Sequence, residues 1–276
     1  MATMKIDYYC PYWGSDHLSN DDFFTKVKDA GYDGVEYPIG SQVSKHVLDT
    51  FWEGAVNNDL KIIIQHYDTR VSNFTEHADI YAAWFEKIAA YPCVKVNSQT
   101  GKDYFSFEQN KQLIDIADDF AAKHKVSVLH ETHRNKFSFA AHITKSYLEK
   151  LQDLKLTLDI SHWVNVAESL LEDQQEAVDL AISRVDHIHA RVGHPQGPQI
   201  NDPRAPENKD TVAAHLKWWD KVIVTNKNKG MKNMSISPEF GPMPYMPALA
   251  FTQQPVSSQW DINVYMMNLL RKRYTM

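Results

Sequence analysis

Val126-Ser127-Val128-Leu129-His130-Glu131-Thr132-His133-Arg134 runs from a short apolar, β-branched stretch straight into a cluster of charged and imidazole side chains. An apolar run of this length reads as a buried strand. Polar groups gathered just past its end match the active face of a parallel α/β protein, where the C-terminal ends of the strands meet the ligand. Three later stretches repeat the pattern: Leu156–Asp159 followed by Ile160-Ser161-His162-Trp163, then His187-Ile188-His189-Ala190-Arg191, then Met234–Glu239 followed by Phe240-Gly241. Working towards the N-terminus, Lys5–Tyr9, Gly34–Tyr37, Lys61–His66 and Val94–Asn97 have the same strand-like composition, which gives eight candidate strands with Val126–Glu131 as the fifth.

Amphipathic helical patterns lie between them. In the first, Asn20 is placed to cap, Asp21 and Asp22 suit the positive N-terminal end, and Phe23, Phe24, Val27 and Ala30 form an apolar stripe that Gly31 ends. Leu113, Ile114, Ala117, Phe120 and Ala121 recur at helical spacing in the fourth, and Thr211–Asn226 and Trp260–Arg273 read as the last two. Strict alternation of strand and helix implies parallel strands joined by right-handed crossovers. Eight such units in 276 residues fit a (β/α)₈ barrel of roughly 250 residues. No Gly-x-Gly-x-x-Gly follows the first strand, which removes the dinucleotide-binding alternative. The expectation is therefore an α/β protein with residues 1–276 forming one (β/α)₈ (TIM) barrel domain. Two long loops, Val192–Asp210 and Phe240–Ser258, follow the seventh and eighth strands on the face where barrel active sites lie.

The chain carries 29 basic and 35 acidic residues, a net charge of −6, which argues against a nucleic-acid backbone as the main partner. No stretch approaches the roughly 20 apolar residues of a membrane span, and Met1–Lys5 lacks the regions of a signal peptide. Cys10 and Cys93 are the only cysteines, so the reading is a cytoplasmic protein without a disulfide framework.

Adjacent parallel strand ends lie about 5 Å apart, so Glu131, Asp159, His189 and Glu239 can converge on one point. Three half-buried carboxylates repel each other, and a divalent cation removes that repulsion. Three carboxylates and one imidazole suit Mn²⁺, Mg²⁺ or Co²⁺ and also accept Zn²⁺. Alternation sets His187, His189 and Arg191 on one face of the seventh strand. His187 reads equally well as a hydrogen-bonded core histidine, and of His130 and His133 at most one faces the site. Trp13, His66, Trp163 and Gln199, near strand ends, are candidates for lining a sugar pocket.

At these residues the chain resembles the xylose isomerase-like TIM barrel superfamily, and within it the sugar phosphate isomerase/epimerase group. The resemblance spans nearly the whole chain. It is strongest in His130–Arg134, Leu158–Trp163, His189–Gly193 and Pro238–Pro242, with support from Gly197–Arg204 and Trp260–Asn263. It implies one divalent metal ion held by Glu131, Asp159, His189 and Glu239. It also implies substrate contacts from His162 and Arg191, and proton transfer at a substrate carbon by Glu131 and Glu239. The ketose epimerases of the superfamily carry a further Glu six residues after the first ligand, where this chain has Phe137. No Gly-rich anion loop follows the seventh or eighth strand, so the residues give no phosphate site of the usual barrel kind.

The chemistry implied is proton transfer beside a metal-bound carbonyl through an enediolate. Return of the proton gives an epimerase or an aldose–ketose isomerase; loss of a β-substituent gives a lyase or hydratase on an oxidised sugar or glycoside. The expected partner is a small sugar, with neither nucleic acid nor membrane, and homo-oligomers are common in the group. A nuclease and a binding barrel without catalysis are the remaining classes. The first would need more histidines and a basic groove; the second is opposed by the retention of all four ligand positions.

Overall fold

Successive residues of a strand face opposite sides of the sheet, and in this chain the two faces differ in chemistry. On one face Ile62, Ile64, Val96, Val128, Ile188 and Ile236 join one large apolar cluster with helix residues such as Phe51, Trp84, Leu113 and Trp219. On the other stand Gln65, Asn97, Glu131, His187, His189 and Ser237, all buried. The first set requires helices outside the sheet. The second requires a closed interior in which polar groups from different strands meet one another.

The computed structural model describes residues 4–275; Met1–Thr3, part of the leader reading above, lie outside them. The strands are β1 (Lys5–Pro11), β2 (Gly34–Pro38), β3 (Lys61–His66), β4 (Lys95–Ser98), β5 (Ser127–Glu131), β6 (Leu156–Leu158), β7 (Val185–His189) and β8 (Asn233–Ser237). They form a closed parallel barrel in chain order, with β1 closing on β8 through Ile6 opposite Met234 and Tyr8 opposite Ile236. The helices are α1 (Asn20–Ala30), α2 (Lys45–Asn57), α3 (Phe74–Ile88), α4 (Phe107–His124), α5 (Ala141–Lys150), α6 (Ile160–Ala167), α7 (Gln175–Ile182), α8 (Lys209–Asn228) and α9 (Gln259–Tyr274). The protein is thus an α/β TIM barrel. Among the described residues no helix is long and apolar enough to cross a membrane, and Cys10 and Cys93 are free thiols.

Several boundaries differ from the sequence expectation, each for a local reason. Ser19, and not Asn20, caps α1: its hydroxyl accepts the Asp22 N–H at 3.1 Å, while Gly31 takes the left-handed conformation at φ 84° as expected. Strand β7 lies two residues earlier than read, with an irregularity where Leu156 pairs with Val185 but Thr157 with His187. Arg191 therefore lies beyond the strand. Strand β8 stops at Ser237 because Pro238 has no N–H to extend the ladder, so Glu239 also projects from the loop. Asp159 leaves β6 and becomes the N-cap of α6. Two helices, α6 and α7, occupy the connection between β6 and β7.

Close strand packing fixes Gly34. A Cβ there would meet the backbone oxygen of Lys61 at 2.4 Å and the Tyr9 ring at 2.6 Å. Neither the β3 backbone nor the buried Tyr9 ring can yield cheaply. Gly34→Ala should therefore lower the unfolding free energy by about 1–3 kcal/mol, read as a lower urea midpoint at unchanged slope.

Candidate metal centre

Strands β2 and β7 are not neighbours, so any side-chain contact between them crosses the barrel lumen. Glu36, at the middle of β2, makes two: its carboxylate accepts from His189 Nε2 at 2.9 Å and from His187 Nε2 at 3.1 Å. Asn97 Nδ2 on β4 donates to the same carboxylate at 3.1 Å, and the Ser237 hydroxyl on β8 at 2.5 Å. Burial alone would raise the Glu36 pKa, but His189 and His187 hold it well below the carboxylate range. The sequence reading missed Glu36. Its signal was an acidic residue between apolar ones in Gly34-Val35-Glu36-Tyr37, at a position whose parity points inward.

With Nε2 of His189 donating to Glu36, Nδ1 is the nitrogen that offers a lone pair once the ring is neutral. Nδ1 lies 2.8 Å from Glu239 Oε2 and 3.7 Å from Glu131 Oε1, yet forms no directed hydrogen bond. One potential ligand atom from each of Glu131, Asp159, His189 and Glu239 lies within 4.8 Å of the other three. All four residues are buried. A second oxygen of each carboxylate is tied to a fixed donor. Asn97 Nδ2 reaches Glu131 Oε2 at 2.9 Å, Gln65 Nε2 reaches Glu239 Oε1 at 3.0 Å, and the Ser161 N–H reaches Asp159 Oδ1 at 3.1 Å. Of the remaining oxygens, Glu131 Oε1 and Glu239 Oε2 lie near His189 Nδ1, and Asp159 Oδ2 is held by Arg191. An orphaned imidazole nitrogen among three oriented carboxylates fits a divalent cation with oxygen and nitrogen preferences. The Glu36 carboxylate behind the imidazole is the support such a ligand ordinarily has. Two further groups, Glu36–His187–His189 and Glu131–His133–His162, also bring ligand atoms together, but in the first the nitrogens already donate to Glu36.

The charges of the site act on one another. Burial would lower the His189 pKa, but Glu239, Glu36 and Glu131 raise it well above the usual imidazole range. Burial would raise Glu131, but His189 and Asn97 bring it to about 2. Asp159 is pushed up to about 6 by burial, with Arg191 opposing and Glu239 reinforcing.

A cavity of about 390 Å³ opens above this cluster, with Glu131, Glu239, His133 and Arg191 on its wall. Pockets for small molecules span roughly 300–1,000 Å³. Trp13 and Tyr245 close another side, their rings edge to face at 5.1 Å. The Arg191 guanidinium pairs with Asp159 Oδ2, bonds His162 Nε2 at 2.7 Å and lies 4.6 Å from the Tyr245 ring centre. His162 is fully buried and packs on the His133 ring at 3.9 Å. It reaches the cavity through those two neighbours.

His66 and Trp163 stand back from the cavity wall. His66 bonds the Thr69 hydroxyl at 2.7 Å beneath the β3–α3 loop, and Trp163 Nε1 donates to the Ser138 carbonyl at 2.8 Å. Gln199 ties the two long loops together through Gly241. His187 is a hydrogen-bonded interior residue, shared between Glu36 and Ser235. His130 points away from the site to Thr100, leaving His133 to face it. Phe137 packs on His130 and Tyr147.

No protein-family model matches the chain, and no curated protein matches it. Among solved structures, the chain is similar to the probable 3-DHS dehydratase AsbF, involved in petrobactin synthesis, from Bacillus anthracis. That match has a TM-score of 0.59 at 18% identity and covers 98% of this chain and 100% of the other. The structure described as AsfvAP:AG matches with a TM-score of 0.55 at 9% identity, over 100% of both chains. Likeness at such identities establishes the shared barrel fold.

Replacing Glu36 by Gln turns a four-fold acceptor into a group with a single acceptor oxygen. Each donor left without a partner costs about 1–3 kcal/mol. Glu36→Gln should therefore destabilise the protein measurably in chemical denaturation, whereas the Glu→Gln exchange at exposed Glu86 should leave the midpoint unchanged.

Proposed function

We propose that the chain, folded as one barrel domain, is a divalent-metal-dependent enzyme that isomerises or epimerises a small sugar by moving a proton next to a carbonyl. The observation that carries the reading is the quartet Glu131, Asp159, His189 and Glu239, its ligand atoms within 4.8 Å of one another at the floor of a sugar-sized cavity. The cation, Mn²⁺, Mg²⁺, Co²⁺ or Zn²⁺, would supply Lewis-acid stabilisation of the negative charge that develops on the substrate oxygens.

The side chains divide the remaining work. Glu131 and Glu239 both reach the cavity and act as the base that takes a proton from carbon and the acid that returns one. Gln65 and Asn97 fix the rotamers of these carboxylates through one oxygen each, which keeps them aimed. Arg191 and His133 bind substrate hydroxyls, and His162 holds the Arg191 guanidinium in place. His66 and Trp163 support the loops that carry the site. The aromatic pair Trp13 and Tyr245 excludes water from one side.

Elimination on an oxidised sugar is the second reading, favoured by Tyr245. It stands on the cavity wall, and a phenol, protonated at neutral pH, can donate to a departing group. The two outcomes part on one measurement. In D₂O, isomerisation or epimerisation places deuterium on an unbroken sugar skeleton, whereas elimination releases an unsaturated product. Glu239→Gln should reduce turnover by about 10²–10⁴-fold. Full turnover in that variant would remove Glu239 from the chemistry.

Metal binding should also depend on pH with a defined sign. In the cation-free protein His189 keeps its proton well above the usual imidazole range, and a metal ligand must be deprotonated. Binding of Mn²⁺ should therefore release a proton, strengthen as pH rises and weaken as it falls. Calorimetry in two buffers of different ionisation enthalpy reads that release directly.

A further inference from the structure

Strand β8 ends at Ser237, so its ladder stops short of the backbone that carries Glu239. Side-chain amides from two other elements take the place of that ladder. Asn263 on α9 accepts the Phe240 N–H at 2.9 Å and donates to the Phe240 carbonyl at 3.0 Å. Gln199, in the β7–α8 loop, does the same for Gly241: it accepts the N–H at 2.7 Å and donates to the carbonyl at 3.1 Å. Gln259, one helical turn before Asn263, donates to the Phe240 carbonyl at 2.9 Å and to the Trp13 carbonyl at 2.8 Å. Gln199 and Asn263 are each 4% exposed.

The two reciprocal pairs each have one workable geometry. An amide turned over would set donor against donor and acceptor against acceptor, so side chain and peptide plane fix each other. Glu239 therefore stands between Pro238, whose ring restricts φ, and two consecutive residues held at both backbone polar groups. The fully buried Phe240 ring pins the same segment from the side. Gly241 meets Trp13 so closely that a Cβ would lie 2.3 Å from the indole ring. Trp13 and Glu239, which face the cavity together, are thus set by one anchor. None of the three amides lines that cavity. Gln199 and Asn263 belong to Gly197–Arg204 and Trp260–Asn263, two stretches that stand out in the sequence yet supply nothing to the quartet.

We propose that Gln199 and Asn263, supported by Gln259, are positioning residues that aim the Glu239 carboxylate at the reacting centre. The inference rests on the proposed function, which gives Glu239 its part in the cation site and in proton transfer, and adds the residues that determine where that carboxylate stands. Sheet pairing cannot do this work, because Pro238 ends the ladder. Neutral amides hold the backbone there without adding a charge beside the quartet.

The test compares Gln199→Leu and Gln259→Leu with Asn110→Leu in the full chain. Asn110 makes the same reciprocal pair, with the Lys102 N–H at 3.2 Å and carbonyl at 3.0 Å, in the β4–α4 connection and without touching the quartet. All three variants should lower the urea midpoint. At a temperature where each is folded, calorimetry should show Mn²⁺ bound roughly ten-fold or more weakly by the first two and as in the unaltered protein by Asn110→Leu. The NMR signal of the Gln65 side-chain amide, which donates to Glu239 Oε1 at 3.0 Å, reports the carboxylate without any cation and should shift in the first two only. Gln259 is half-buried at the start of α9, so its variant carries the comparison should Gln199→Leu not fold. An unmoved Gln65 signal overturns the proposal, and so does an equal effect of Asn110→Leu. Absence of Mn²⁺ binding by the unaltered protein, or unchanged Mn²⁺ affinity beside a shifted Gln65 signal, counts against the proposed function alone, and the Gln65 signal still decides this inference.

Discussion

One carboxylate spans the barrel lumen, and the candidate metal centre depends on it. Glu36 takes hydrogen bonds from β4, β7 and β8 at once. Its acceptance from His189 Nε2 turns the other ring nitrogen towards Glu131 and Glu239. Without that bond the imidazole would be free to turn or to exchange tautomers, and Nδ1 would no longer aim between Glu131 and Glu239. The interior of this barrel is therefore held less by interlocking aliphatic layers than by a polar network whose members must all be satisfied together.

That network also reconciles two opposed demands. Carboxylates crowded into a dry space repel, yet a base must be aimed and unhindered. Gln65, Asn97 and the α6 N-terminus each hold one oxygen with neutral donors, which orients the group without neutralising it. Arg191 at Asp159 and the imidazole at Glu239 supply local positive charge. The result is a concentration of negative charge that a small, strongly charged ligand relieves.

Much of this was legible in the sequence because period-two patterning and strand–helix alternation are local. Glu131, Asp159, His189 and Glu239 each follow a strand-like run, and all four come together although two of them lie beyond the strand ends. What was not legible depended on closure. Glu36 pairs with residues more than 150 positions away, and nothing in Gly34–Tyr37 indicates which strand faces it. The placing of His66 and Trp163 behind the wall could not be read either, since a strand-end position does not say whether a ring turns towards the loop or the lumen. Arg70, on the cavity wall, belongs to a loop, where periodicity carries no information.

The allocation of loops has an evolutionary consequence. In the proposed function the chemistry falls to the ends of β5 to β8, while Glu36, Gln65 and Asn97 on β2 to β4 hold those side chains in place. The loop after β3 supplies Arg70 to the cavity wall. That loop can therefore diverge towards new ligands while the inward-facing network stays untouched, whereas a change on the strands of either half would disturb the reactive groups.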